Sequence, residues 1–111
     1  MRTFAELQAE NRRCAFLRFL AEDPDYAMNT SLLQSALEAV GHGVSRDCVD
    51  ADAAWLEDAG LVECEALSGI LVVKITRRGL DVACGRAVVP GVKRPGPRLC
   101  YGAQIPTAPP A

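Results

Sequence analysis

The sequence predicts an α+β fold that is mainly helical, with about four helices and one small two-stranded β-hairpin. Three observations carry that prediction. Residues 29–62 hold two short apolar-periodic segments, parted by Gly41-His42-Gly43 and closed by Gly60. Two β-rich runs, 61–67 and 70–76, flank Ser68-Gly69. Residues 89–111 hold six of the seven prolines and show no apolar period. For a chain of 111 residues, 50% of them apolar, one domain with a modest core is the expectation. Residues 1–88 are read as that domain and 89–111 as a Pro-rich basic C-terminal tail or arm, extended because its composition cannot bury a core.

The first helix is expected over residues 3–22. Phe4, Leu7, Cys14, Leu17, Leu20 and Ala21 recur at helical spacing, with Asn11 on the same stripe. Thr3 followed by Glu6 gives a capping box. Glu10, Arg12, Arg13 and Glu22 form the opposite, solvated face. Pro24, flanked by Asp23 and Asp25, stops the helix because it removes a donor. Tyr26-Ala27-Met28 is then a short extended stretch.

The second helix takes Asn29 or Thr30 as its cap, buries Leu33, Ala36, Leu37 and Val40, and stops at Gly41. The third begins at Ser45, buries Val49, Ala53 and Leu56, and stops at Gly60. Two helices joined by a tight Gly-containing turn make a helix-turn-helix. The hairpin follows, turning at Ser68-Gly69. Thr76 caps a last helix from 77 to about 88, with Leu80, Val82, Ala83 and Ala87 as its apolar residues. Trp55 is expected to pack under the hairpin.

Composition excludes several classes. No run approaches the roughly 18 consecutive apolar residues of a membrane span, and charge enters the first residues too early for a signal peptide. A cytoplasmic location is expected. Five cysteines, spread along the chain, include no C-x-x-C pair. They are expected to be reduced and to fill small core gaps, apart from Cys100 in the tail. With a single histidine, His42, set between two glycines of a turn, no catalytic triad and no metal set is available. Asp50 and Asp52 lie two apart and point to different faces of a helix, so they cannot act together. Neither an enzyme nor a cofactor is expected.

Two motifs carry a resemblance. Val49-(x6)-Leu56-Glu57-(x2)-Gly60-Leu61-Val62 resembles the end of the recognition helix running into the wing of MarR-, PadR- and ArsR-like regulators. Ile75-Thr76-Arg77-Arg78-Gly79-Leu80 resembles their passage from the wing into the last helix. Together with the order of elements, these motifs make residues 30–88 similar to a winged helix-turn-helix. The tail VPGVKRPGP and the overall length are also similar to small winged-helix proteins encoded in Mu-like prophages. The resemblance implies a bacterial or prophage transcriptional regulator, acting as a homodimer and binding double-stranded DNA through the third helix.

Carried over by position, the groove-facing residues are Ser45, Arg46, Asp47, Asp50, Ala51 and Ala54. That set departs from what groove reading needs, since base edges are read mainly by Arg, Lys, Asn and Gln. The hairpin tip, Ala66-Leu67-Ser68-Gly69, has no cation. Residues 1–90 carry nine Lys/Arg against fourteen Asp/Glu, a net of −5, whereas 91–111 add Lys93, Arg94 and Arg98 with no acid. The basic residues Arg77, Arg78 and Arg86 of the last helix, with Lys93, Arg94 and Arg98, either contact phosphates or pair with the acidic helix of a second subunit. The competing reading is a winged-helix protein-interaction module that binds a protein through the acidic helix and the tail.

Overall fold

The structure is a computed structural model that describes residues 2–96. Arg98 and Cys100 lie outside the described residues. In order, the elements are α1 (Phe4–Glu22), β1 (Ala27–Asn29), α2 (Thr30–Ala39), α3 (Arg46–Asp58), β2 (Val62–Leu67), β3 (Ile70–Ile75) and α4 (Arg77–Ala83). The fold thus comprises four helices and a three-stranded antiparallel sheet of order β1-β3-β2. The expected two-stranded hairpin gains a third strand, because the extended stretch before α2 pairs Ala27, Met28 and Asn29 with Lys74, Val73 and Val72.

Local chemistry sets the boundaries. At the start of α1 the Glu6 carboxylate accepts from the Thr3 N–H at 2.8 Å while Thr3 Oγ1 accepts from the Glu6 N–H at 3.1 Å, so two orphan donors are satisfied reciprocally. Asn29, Ser45 and Thr76 cap α2, α3 and α4 with their side chains. The helix ends repeat one device. Gly41, Gly60 and Gly85 all have positive φ, and the residue after each donates five positions back, His42 to Leu37, Leu61 to Leu56 and Arg86 to Asp81. This is the Schellman arrangement, in which glycine takes the left-handed position at no steric cost. It also corrects the last helix, which ends at Ala83 rather than near residue 88 because Gly85 closes it. Arg86 and Ala87 accordingly lie beyond α4.

The core is built from Phe16, Leu17 and Leu20 of α1, Leu33 and Leu37 of α2, and Val49, Ala53 and Leu56 of α3, closed by Leu61, Val62 and Val73 from the sheet side. The predicted stripe of α1 is corrected at its start. Phe4 is 74% and Leu7 41% exposed, and the fully buried aromatic is Phe16. Only the C-terminal half of α1 is enclosed, and there Cys14, Ala15, Phe16 and Leu17 are buried in succession. Val40, expected inside, is exposed at the end of α2.

The segment after α4 packs back on the body over residues 89–96. Val89, Val92 and Pro95 are buried at every third position. The Lys93 N–H donates to the Glu10 carbonyl at 3.1 Å, and Arg13 Nη1 donates to the Gly91 carbonyl at 2.9 Å. The part of the expected arm that is described thus lies against α1.

Candidate functional site

Helix α3 buries Val49, Asp52, Ala53 and Leu56 and leaves Arg46, Asp47, Asp50, Ala51, Ala54, Glu57 and Asp58 exposed. The two sets follow from a 3.6-residue period, so the outward ridge is fixed by burial of the other face. Ser45, also exposed, is the N-cap and accepts from the Cys48 N–H at 3.2 Å. Arg46 Nε donates to Gln34 Oε1 at 2.8 Å, and Gln34 Nε2 donates to the Val44 carbonyl at 3.1 Å, so α2 steadies the entry of α3. Arg46 also borders a hollow shared with Ser31 and with Gly69, Ile70 and Leu71 of the hairpin.

The hairpin turns on two residues, Ser68 at φ 52° and Gly69 at φ 79°, the pair of positive angles that matches the twist of the strands. Its tip exposes Leu67 and Ile70, 49% and 52% accessible, and Leu32 of α2 is 51% accessible. Apolar side chains, not cations, therefore stand where the resemblance places a basic wing.

Arg77 and Arg78 open α4 and are exposed. They lie at the far end of α3, because Thr76 Oγ1 donates to the Gly60 carbonyl at 2.8 Å and the Thr76 N–H to the Leu61 carbonyl at 3.0 Å. At 1.5 Å per residue, Arg46 and this pair are separated by about 20 Å along α3. Lys93 and Arg94 lie elsewhere, beside α1 and the turn after α2. The candidate basic residues are thus brought to three places rather than one.

Arg12 and Arg13 correct the sequence reading. They were expected on a solvated face, but Arg12 forms a two-pronged pair with Asp52, through Nε to Oδ2 and through Nη2 to Oδ1 at 3.1 Å. The side chains of Arg12 and Asp52 retain only 14% and 4% of their accessibility. The hydrogen bond to Asp52 raises the Arg12 pKa, against the opposing effect of burial. Arg13 approaches the same carboxylate at 3.9 Å and stands 4.1 Å over the Trp55 ring. Trp55, expected beneath the hairpin, meets Arg13 and Gly91 instead; a Cβ on Gly91 would fall 2.6 Å from its Cη2. The signal for Asp52 was present in the sequence, since position 52 shares the helical face of Val49 and Leu56. Its charge concealed the burial.

Glu57 of the outward ridge accepts from the Cys64 N–H at 3.0 Å and ties α3 to β2. Burial first, then the fields of Glu57 and Asp50, push the Cys64 thiol from 9.0 up to about 11. Two results follow. Cys64 stays a thiol at pH 8 and reacts slowly with alkylating reagents, because the thiolate is the nucleophile. The folded pKa exceeds the unfolded one, so the folded state holds the proton longer and stability falls as pH rises from 9 through about 11. Chemical denaturation at a series of pH values measures this, and Cys64→Ala should flatten the decline.

Among the described residues no three His, Cys, Asp or Glu side chains gather as a metal set, and no helix is long and apolar enough to cross a membrane.

The chain is similar to the uncharacterized protein gp26 of Escherichia phage Mu, at 50% identity over 93 residues, which covers 84% of this chain and 96% of gp26. It is also 39% identical over 79 residues to an uncharacterized protein of Haemophilus influenzae, covering 70% and 76% of the two chains. No family model matches the chain, and no solved structure matches it.

Proposed function

The chain belongs to the family of phage Mu gp26, and from the order of its elements and the outward face of α3 we propose that it is a winged-helix DNA-binding protein, a phage or prophage transcriptional regulator. The observation that carries this reading is the outward ridge of α3. Cations stand at its two ends, Arg46 at one and Arg77 with Arg78 at the other, and the small Ala51 and Ala54 lie between them. A helix with small residues at its centre enters a major groove about 12 Å wide, while cations at its ends reach the flanking phosphates. Asp47 and Asp50 then face base edges, where a carboxylate accepts from the amino group of cytosine. Phe4 and Leu7, exposed at the free end of α1, supply an apolar contact for a second copy.

Few cations imply weak, strongly salt-dependent binding. Fluorescence anisotropy on duplex DNA should show a dissociation constant in the range of about 10⁻⁴ to 10⁻⁶ M for arbitrary sequence. Arg46→Ala should weaken every duplex alike and reduce the salt slope by about 1. Asp50→Ala should instead change the ranking of duplexes. If no duplex binds even at low salt, this reading is lost.

A second reading, a module that binds protein through the same face, is favoured by the apolar hairpin tip. Leu67, Ile70 and Leu32 are each about half exposed, and such side chains gain nothing from phosphates. A Leu67→Ser/Ile70→Ser double variant with unchanged DNA affinity leaves these residues to a protein partner.

A further inference from the structure

A cleft of about 200 Å³ lies between the middle of α1, the turn after α2 and residues 93–96. Arg18, His42, Lys93 and Arg94 line it, with Asn11 and Cys14 beside them, and no carboxylate does. Among the described residues, Lys93 and Arg94 have no carboxylate within the 4.0 Å of an ion pair. Arg18 has only a long 4.0 Å approach to Glu22.

The backbone that carries Lys93 and Arg94 is also held in place. Residues 89–96 are pinned through Val89, Val92 and Pro95, and the Lys93 N–H is bonded to the Glu10 carbonyl. The chain that bears Lys93 and Arg94 is therefore ordered before any ligand arrives, which lowers the entropy cost of binding. The fields of Arg18 and Lys93 both reach Cys14, where they oppose the larger effect of burial on its thiol. Two guanidinium forks and an ammonium lining one hollow suit a tetrahedral oxyanion of more than one negative charge.

We propose that this cleft is a phosphate-binding site, taking either a small phosphate group or the phosphodiester of a nucleic-acid backbone. The site uses none of the α3 ridge, and the inorganic-phosphate probe tests it apart from the function proposed above.

The test follows the backbone amides of His42, Lys93 and Arg94 by NMR in the full chain, with three probes: inorganic phosphate, a short DNA duplex and a polyglutamate peptide. Each is compared with sodium chloride at equal ionic strength. Saturable shifts with phosphate identify a small phosphate group as ligand, and saturable shifts with duplex alone identify the backbone diester. Lys93→Glu/Arg94→Glu, at exposed positions that leave the core intact, should weaken that binding by roughly tenfold or more. Arg18→Gln should weaken it in the same direction, and Glu65→Gln, exposed on β2, should leave these shifts unchanged. Saturation by polyglutamate alone, shifts reproduced by sodium chloride, or equal binding by the double charge variant would each overturn the proposal.

Discussion

Asp52→Ala is expected to lower the stability of the fold by about 3–5 kcal/mol, because it leaves the largely buried Arg12 side chain without its carboxylate. The side chain of Asp52 is 4% accessible and that of Arg12 14%, so little water is available to replace the lost partner. Such a loss is a large share of the roughly 5–15 kcal/mol that holds a small domain together. The corresponding fall in melting temperature is about 12 °C or more. The pair itself need not be the stabilising element. Replacing both partners by apolar residues, as in Arg12→Met/Asp52→Leu, should cost less than Asp52→Ala, since the Arg12 charge is then not stranded. Thermal and urea denaturation of the three proteins checks this. A double variant as unstable as the single one would show that the ion pair contributes net stability here.

Gly79→Ala should be the other severe change, although alanine is ordinarily favoured over glycine in a helix by about 1 kcal/mol. Gly79 is buried where the first turn of α4 meets the backbone of Leu61, in the link between α3 and β2. A Cβ there would drive into the Leu61 carbonyl oxygen and lie 2.6 Å from Ile75 Cγ1. The obstacle is backbone, and that same carbonyl accepts the Thr76 N–H. Relief requires α4 to move off the Leu61 backbone, and overpacking of this kind costs about 3 kcal/mol. Gly43→Ala is the control. Its Cβ would meet only Glu38 Cγ at an ordinary 3.8 Å, so its unfolding midpoint should barely change. Equal midpoints for the two variants would refute the steric account of Gly79.

Both predictions concern places where a residue's surroundings outweigh its type, and the same distinction separates what was legible in the sequence from what was not. Thr3, Asn29, Ser45 and Thr76 cap the four helices as read, because capping depends on a few consecutive residues. Gly41 and Gly60 end α2 and α3 for the same reason. Gly85 carried an identical signal, which the apolar Ala87 and Val88 beyond it obscured. The α3 ridge was legible as well, since Val49, Ala53 and Leu56 fix which side faces out.

By itself, then, the sequence determined the order of helices and strands, the capped ends of α2 and α3, the Ser68-Gly69 turn and the outward residues of α3. These rest on interactions within a few residues, where side-chain type and backbone preference suffice. Only the tertiary structure decided that Arg12 meets Asp52, that Gly91 receives Trp55, that Ala27–Asn29 joins the sheet, and that Arg18, His42, Lys93 and Arg94 line one cleft. Those contacts join segments far apart in the sequence, by as much as 78 positions for Arg13 and Gly91. Nothing local marks such partners, because charge and shape complementarity between distant segments exists only once the core has brought them together.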